Sequence, residues 1–129
     1  MDKKEKKVTG LGGIMFKSKA PDATRKWYEN MLGIEDDPYG YKFEWIDKED
    51  TGKTGVTVWS PMPEDSDYLG DADQQYMINY RVHNLERLTV QLRENGVVIL
   101  DEIEEYEGLG KFLHIIDIDG RRVELWEPA

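Results

Sequence analysis

The sequence predicts an α+β fold made of two tandem β-α-β-β-β modules, which form one curved mixed sheet around a cleft and carry their helices on its convex face. Three observations predict it. Short segments rich in β-branched and aromatic residues alternate with turn sequences, two further segments have the spacing of amphipathic helices, and the order of elements is the same in both halves of the chain. A chain of 129 residues is expected to form a single domain.

The first module spans residues 8–62 and follows a lysine-rich tail, residues 1–7, that we expect to be disordered. It begins with a strand over residues 8–18. Pro21 suits the first turn of a helix, which is predicted over residues 21–32. The apolar positions of this helix are Ala23, Trp27, Met31 and Leu32. Three strands are predicted to follow, at about residues 34–38, 41–47 and 54–60.

An acidic linker that contains proline, residues 63–74, connects the modules. The second module spans residues 75–129 and opens with a strand over residues 75–82. Asn84 is a suitable N-cap for a helix that ends at Asn95-Gly96. The remaining strands are predicted at about residues 97–104, 110–117 and 121–127.

Two pairs of segments indicate that the modules are copies of one unit. Residues 56–61 (VTVWSP) match residues 123–128 (VELWEP) at an offset of 67 residues, and residues 13–17 match residues 77–81 less closely at an offset of 64. Both matches fall at corresponding places in two identical element orders, so they predict a duplication.

Composition excludes several classes of function. The chain has 17 Lys and Arg against 27 Asp and Glu, and its net charge of −10 disfavours nucleic acid and anionic membranes as partners. It has no cysteine, which excludes disulfides, thiolate metal sites and cysteine nucleophiles. No apolar run approaches about 18 residues and no signal-peptide core follows Met1, so we expect a cytoplasmic protein.

Alternation along the predicted strands separates two faces of the sheet. One face is apolar and suits the side beneath the helices. The other mixes aromatic, small and ionisable groups, which suits a cleft that binds a small molecule. The predicted ligand-binding residues on this second face are Met15, Lys17, Thr57, Trp59, Met77, Asn79, Arg81, Arg122 and Trp126. Core filling remains the alternative role for the two tryptophans.

A hairpin around Asp119-Gly120 brings one histidine to this face. If Asp117 pairs with Arg121, then His114 lies opposite Glu124. A carboxylate beside an imidazole fixes its tautomer and raises its pKa, so the pair is a candidate for acid–base catalysis. A purely structural hydrogen bond between the strands is the alternative.

These features resemble the vicinal oxygen chelate superfamily, which includes glyoxalase I, bleomycin-resistance proteins and extradiol dioxygenases. The resemblance covers about residues 8–128. It rests on three segments. The first is the strand over residues 8–18 followed by Trp27-Tyr28-(x)3-Leu32-Gly33-Ile34, the second is Tyr80-Arg81-Val82-(x)2-Leu85, and the third is residues 117–128. Residues 117–128 are the most specific part. They are similar to the signature D-P-(D/E)-G-N-x-(I/V)-E-L-(W/Y)-E, with Ile118 and Arg121 in place of the usual proline and asparagine.

The resemblance also implies where a metal would bind. Members that use a metal hold it with His, Glu or Gln at up to four positions, which fall here on Gly13, Thr57, Met77 and Glu124. Only Glu124 retains a ligand, and one carboxylate is not enough to hold a divalent ion. We therefore expect no metal and no other cofactor.

Three functions follow as alternatives. The first is a glyoxalase- and bleomycin-resistance-like protein that binds a small organic molecule in its cleft but lacks the metal centre usual in the family. The second is an enzyme, a lyase, isomerase or dioxygenase, that uses His114 and Glu124 or a metal held by residues not identified here. The third is a protein-interaction module that uses the acidic residues 101–107. The resemblance further implies a homodimer.

Overall fold

The computed structural model describes residues 7–129 and confirms the α+β class, with a seven-stranded mixed sheet and two helices. Residues 1–6 of the predicted tail lie outside the described residues. The elements are β1 (Val8–Ser18), α1 (Pro21–Leu32), β2 (Tyr41–Ile46), β3 (Thr54–Pro63), β4 (Tyr76–Val82), α2 (Leu85–Glu94), β5 (Glu104–Tyr106), β6 (Gly110–Ile116) and β7 (Arg122–Pro128).

The strand order in the sheet is β2-β3-β1-β4-β7-β6-β5. β1 runs parallel to β3, and β4 runs parallel to β7. The pairs β2–β3, β5–β6 and β6–β7 are antiparallel. Along the chain, α1 lies between β1 and β2 of the first half, and α2 lies between β4 and β5 of the second half.

Two predicted strands are wrong. Residues 34–38 form no strand, because their polar groups bond to α1: the Asp36 backbone N–H donates to Glu29 Oε2, and Arg25 Nε donates to Asp36 Oδ1. Residues 97–104 contain only one isolated bridge, Ile99 to Ile115, before β5 begins.

The described chain divides into two compact units. The N-terminal unit is Gly12–Ile78, and the C-terminal unit is Asn79–Ala129 together with residues 7–11. In the N-terminal unit, the Phe16 ring lies 5.3 Å from the Trp59 ring, and Tyr28 of α1 lies 4.9 Å from Trp59. Most of the predicted apolar stripe of α1 is exposed instead: Trp27 54 %, Met31 64 % and Leu32 61 %.

The C-terminal unit has a clear apolar core between α2 and the sheet. Its buried members are Val82, Leu85, Leu88, Leu113 and Leu125. Each fully buried side chain of this kind contributes about 1.5–3 kcal/mol to stability. This core fixes which face of β6 and β7 points toward α2.

The start of α2 is held at two points. Asn84 is the predicted N-cap, and its side chain accepts a hydrogen bond from the Arg87 backbone N–H. Glu127 Oε1 accepts one from the Leu85 backbone N–H at 2.6 Å. These contacts satisfy N–H groups that have no partner within the helix. Within residues 7–129, neither helix has the length and apolarity that crossing a membrane requires.

Candidate functional site

The candidate site lies on one face of the C-terminal unit. Leu125 belongs to the core beneath α2, so its neighbour Glu124 points to the opposite face of the sheet. Glu124 pairs with Asn79 of β4 on one side and with His114 of β6 on the other. The predicted register of His114 opposite Glu124 is confirmed. We call this the front face and define it by Asn79, Arg81, His114, Glu124 and Trp126.

A buried polar row crosses the front face. His114 Nε2 lies 2.7 Å from Glu124 Oε2, and Asn79 Nδ2 donates to Glu124 Oε1 at 2.7 Å. The exposed fractions are 6 % for His114, 3 % for Glu124 and 4 % for Asn79. Both oxygens of the buried carboxylate therefore have a hydrogen-bond partner, as a charge in this position requires.

Asp101 completes the row and is not among the predicted site residues. Its Oδ2 lies 2.7 Å from His114 Nδ1, and its Oδ1 accepts the His114 backbone N–H at 2.8 Å. The side chain of Asp101 is 30 % exposed, so it joins the buried row to solvent. Asp101 lies in a segment predicted as a strand, and no local pattern in that segment indicates a contact with His114.

The carboxylates of Glu124 and Asp101 favour the protonated form of His114. Burial lowers the pKa of His114, but the hydrogen bonds with Glu124 and Asp101 outweigh this effect and raise the pKa above its ordinary value of 6.5. In its protonated form the imidazole donates one N–H to each carboxylate. It then has no lone pair to offer to a substrate or a metal.

A second row on the front face is aromatic and cationic. Trp126 pairs with Arg81 of β4 and with Phe112 of β6. The Phe112 and Trp126 rings are stacked at 5.8 Å with an angle of 6° between their planes, and the Arg81 guanidinium lies 5.1 Å from the centre of the Trp126 ring. Trp126 Nε1 donates to the Leu109 carbonyl at 2.8 Å, which fixes the indole. This row lies two residues along the strands from the polar row, a separation of about 7 Å.

Two further polar groups belong to this region. Arg122 pairs with Ile116 and shares the face of Glu124, two residues away. Asn79 Oδ1 is buried and has no hydrogen-bond partner among residues 7–129. A buried acceptor without a hydrogen-bond partner is unfavourable.

Three predicted residues lie in the N-terminal unit. Met15 pairs with Ser60 of β3. Lys17 Nζ donates to the carbonyl oxygens of Asp71 at 3.1 Å and Ala72 at 3.0 Å. Met77 is fully buried. Their predicted contact with a ligand stays a prediction.

The predicted face of Thr57 and Trp59 is wrong. Trp59 pairs with Ile14, so it lies on the same face as Phe16 and packs against α1 through Tyr28. Thr57, two residues away, shares this face and accepts a hydrogen bond from Trp45 Nε1 at 2.9 Å.

The strand pairing relates the two modules at a different offset from the one that the match between residues 56–61 and 123–128 indicates. Met15 pairs with Ser60, and Asn79 pairs with Glu124, so both partners shift by 64 residues, from 15 to 79 and from 60 to 124. The sequence match at an offset of 67 residues does not correspond to the strand pairing. Ser60, rather than Thr57, is the counterpart of Glu124.

The side chains do not fit the divalent metal that the family resemblance implies. Gly13 and Met77 carry no ligand for a hard cation, and the counterpart of Glu124 is a serine. Both oxygens of Glu124 and both ring nitrogens of His114 are already hydrogen-bonded. Over residues 7–129, no group of three or more His, Cys, Asp or Glu side chains is arranged to hold a metal ion.

Comparison with known proteins identifies the fold. Neither a protein-family model nor a curated protein sequence matches the chain. Among solved structures, Streptomyces coelicolor methylmalonyl-CoA epimerase in complex with 2-nitronate-propionyl-CoA has a TM-score of 0.70 at 19 % identity, over 95 % of this chain and 99 % of that one. The Mycobacterium tuberculosis methylmalonyl-CoA epimerase has a TM-score of 0.60 at 20 % identity, over 99 % and 93 %.

A protein with a different activity has a similar fold. The NAD-dependent benzaldehyde dehydrogenase structure from Legionella pneumophila has a TM-score of 0.58 at 15 % identity, over 91 % of this chain and 98 % of that one. Similarity at these identities establishes the fold and leaves the reaction open. The chain has the fold of the vicinal oxygen chelate superfamily, to which methylmalonyl-CoA epimerase belongs, and the resemblance found in the sequence is confirmed at this level.

Proposed function

We propose that this protein binds a small organic molecule on the front face, as glyoxalase- and bleomycin-resistance-like proteins bind theirs, and that it does so without the divalent metal that some of those proteins use. The observation that carries the proposal is the pair of rows on that face. A stacked row of Phe112, Trp126 and Arg81 lies beside a buried polar row of Asn79 and Glu124 with His114. Apolar walls with a few fixed polar groups are typical of small-molecule sites.

The two rows recognise different parts of a ligand. The Trp126 ring is held by its hydrogen bond to Leu109 and offers a rigid surface for a planar or unsaturated group. Asn79 Oδ1 is a buried acceptor that an N–H or O–H of the ligand would satisfy. Together they favour a planar molecule that carries a hydrogen-bond donor.

Independence from metal follows from the donor set. Glu124 is the only family ligand position with a suitable side chain, and its oxygens are engaged by Asn79 and His114. Recruiting this carboxylate to a cation would break two buried hydrogen bonds, each to a group that is itself buried. The site is therefore better suited to organic ligands than to a chelated ion.

A screen of a broad metabolite library by thermal shift, with a chelator present, tests the proposal. We expect at least one planar ligand to raise the unfolding temperature. Trp126→Leu should weaken its binding by about tenfold or more. Trp27→Leu, which removes an exposed tryptophan of α1, is the matched control and should leave the affinity unchanged. The absence of any ligand, or equal losses in the two variants, would refute the proposal.

Proton transfer by His114 and Glu124 is a second candidate function. The specific observation in its favour is the 2.7 Å contact of the pair, with Asp101 orienting the imidazole from its other nitrogen. In this role His114 would be neutral and would exchange its contact with Glu124 for one with the substrate, so activity should rise with pH through the raised pKa of this histidine.

Methylmalonyl-CoA is the first substrate to test, because this fold occurs in epimerases that act on it. His114→Gln should abolish exchange of the substrate's α-hydrogen with solvent, while His83→Gln, at an exposed histidine, should not. Absence of exchange in the unmodified protein across a panel of acyl-CoA esters would leave ligand binding as the function.

We also propose that the protein is a cytoplasmic homodimer that binds neither nucleic acid nor membranes. The net charge of −10 supports the exclusion of polyanionic partners. Light scattering coupled to gel filtration tests the oligomeric state: a mass of two chains is expected, and a mass of one chain at all concentrations would contradict the dimer.

A further inference from the structure

The C-terminal unit has a cavity beside α2. It has a volume of about 280 Å³ and opens between α2 and residues 101–103. Apolar side chains of Val90, Ile103 and Leu113 line part of it. Leu113 belongs to the core beneath α2, so the floor of this cavity is continuous with that core.

Charges of both signs line the rest of this cavity. Glu86 lies 2.9 Å from Lys111, and Asp101 is bonded to His114, so these two carboxylates already have partners. Arg93 and Glu102 also line the cavity. Among residues 7–129, neither forms a salt bridge. The cavity therefore offers one guanidinium and one carboxylate to a ligand.

We propose that this cavity binds a small zwitterion with an apolar side chain, of the chemical class of the free amino acids. The ligand carboxylate would pair with Arg93, whose planar guanidinium suits it. The ligand ammonium would pair with Glu102 and the exposed part of Asp101, and its side chain would contact Val90 and Ile103 above the buried Leu113. A volume of about 280 Å³ is just below the usual range of about 300–1,000 Å³ for ligand sites, which restricts the ligand to about the size of a single amino acid.

The position of Asp101 connects this cavity with the buried polar row. Its Oδ2 holds His114 Nδ1 while its carboxylate also lines the cavity. An ammonium group near Asp101 would compete electrostatically with the imidazolium of His114. Binding in the cavity should therefore lower the pKa of His114, which gives a readout of occupancy at a residue that the ligand does not touch.

Titration of the full chain with L-leucine, followed by NMR and calorimetry, tests the proposal. We expect saturable binding with shifts in the methyl signals of Val90, Ile103 and Leu113. L-Leucinamide lacks the carboxylate and N-acetyl-L-leucine lacks the ammonium, so each should bind about tenfold or more weakly. Arg93→Gln and Glu102→Gln should weaken L-leucine binding to a similar degree.

Arg87→Gln and Glu94→Gln are matched controls on α2, because neither residue lines the cavity, and they should not change the affinity. All four substituted residues are exposed, so the variants should unfold at the same temperature as the unmodified protein. The proposal is overturned if L-leucine and larger apolar amino acids do not bind, or if the amide and the acetylated form bind equally well. These tests are independent of the library screen at the front face, since Trp126→Leu should leave L-leucine binding intact.

Discussion

His114 Nε2 and Glu124 Oε2 lie 2.7 Å apart between two neighbouring strands, and both side chains are almost fully buried. This contact joins an ionisable base to a buried carboxylate. Because Asp101 binds the other ring nitrogen, the imidazole lies between two negative charges. The pair is therefore a source of stability that depends on pH, as well as the polar part of the proposed ligand site.

Glu124→Gln should destabilise the protein. The amide keeps the size of the side chain but removes the negative charge that His114 and Asn79 bind. Leaving buried donors without a charged acceptor costs about 1–3 kcal/mol of unfolding free energy. Urea denaturation near neutral pH measures this loss. Glu107→Gln, at an exposed position, is the control, and an equal effect of the two substitutions would contradict the role given to Glu124.

The contribution of His114 to stability should fall as pH rises. Its pKa is raised in the folded protein, so the unfolded chain binds fewer protons between the unfolded value of 6.5 and the higher folded value. The stabilisation is complete below the unfolded pKa and is lost as pH rises through the folded pKa. Urea denaturation from about pH 6 to pH 9 should show this decline.

Two variants test the origin of that pH dependence. His114→Gln should remove it. Asp101→Asn should lower the pH at which the decline in unfolding free energy ends, because it removes one of the two carboxylates that raise the pKa of His114 in the folded protein. An unchanged pH dependence in both variants would show that other groups are responsible.

The side-chain cap and the left-handed backbone of Asn84 should affect stability differently when this residue is substituted. Asn84 has φ 53° and caps α2 through its contact with the Arg87 backbone N–H. Asn84→Ala loses the cap and is strained at this φ, so it should destabilise by about 1–2 kcal/mol. Asn84→Gly loses the cap but tolerates the backbone, so it should cost a few tenths of a kcal/mol. Equal losses in thermal denaturation would contradict this assignment.

Substitution of Trp59 should lower stability, whereas substitution of Trp126 should lower the affinity for a ligand. Trp59 packs against Phe16 and Tyr28, so Trp59→Leu should destabilise by about 1–3 kcal/mol and leave binding at the front face unchanged. Trp126→Leu should weaken ligand binding. Unfolding curves and calorimetry on both variants separate the roles, and a loss of affinity in Trp59→Leu would restore the face predicted from the sequence.

Much of the C-terminal unit could be predicted from the sequence because its signals are local. The tight turn at Gly120, with φ 88°, sets the register of β6 against β7, and this register places His114 opposite Glu124. Asn84 marks the start of α2 for a similar reason, since its cap acts within one helical turn. Such features depend on residues that are close in the chain.

The predictions that failed depend on long-range pairing. Alternation along β3 puts Thr57 and Trp59 on one face but does not determine which face that is. The parallel pairing of β1 with β3 determines it, and no turn connects those two strands directly. Asp101 reaches His114 from a segment with little regular structure, so alternation along a strand has no bearing on it. Predicting this face of β3 or the contact of Asp101 with His114 would require knowing which segments are neighbours in the folded protein.

The metal content of the purified protein decides whether the front face works without a cation. Purified protein is incubated with nickel, zinc, iron or manganese salts, desalted and examined by elemental analysis. We expect less than about one-tenth of a metal ion per chain, because Glu124 and His114 are hydrogen-bonded to each other and to Asn79 and Asp101. Close to one ion per chain, lost in Glu124→Gln, would contradict it.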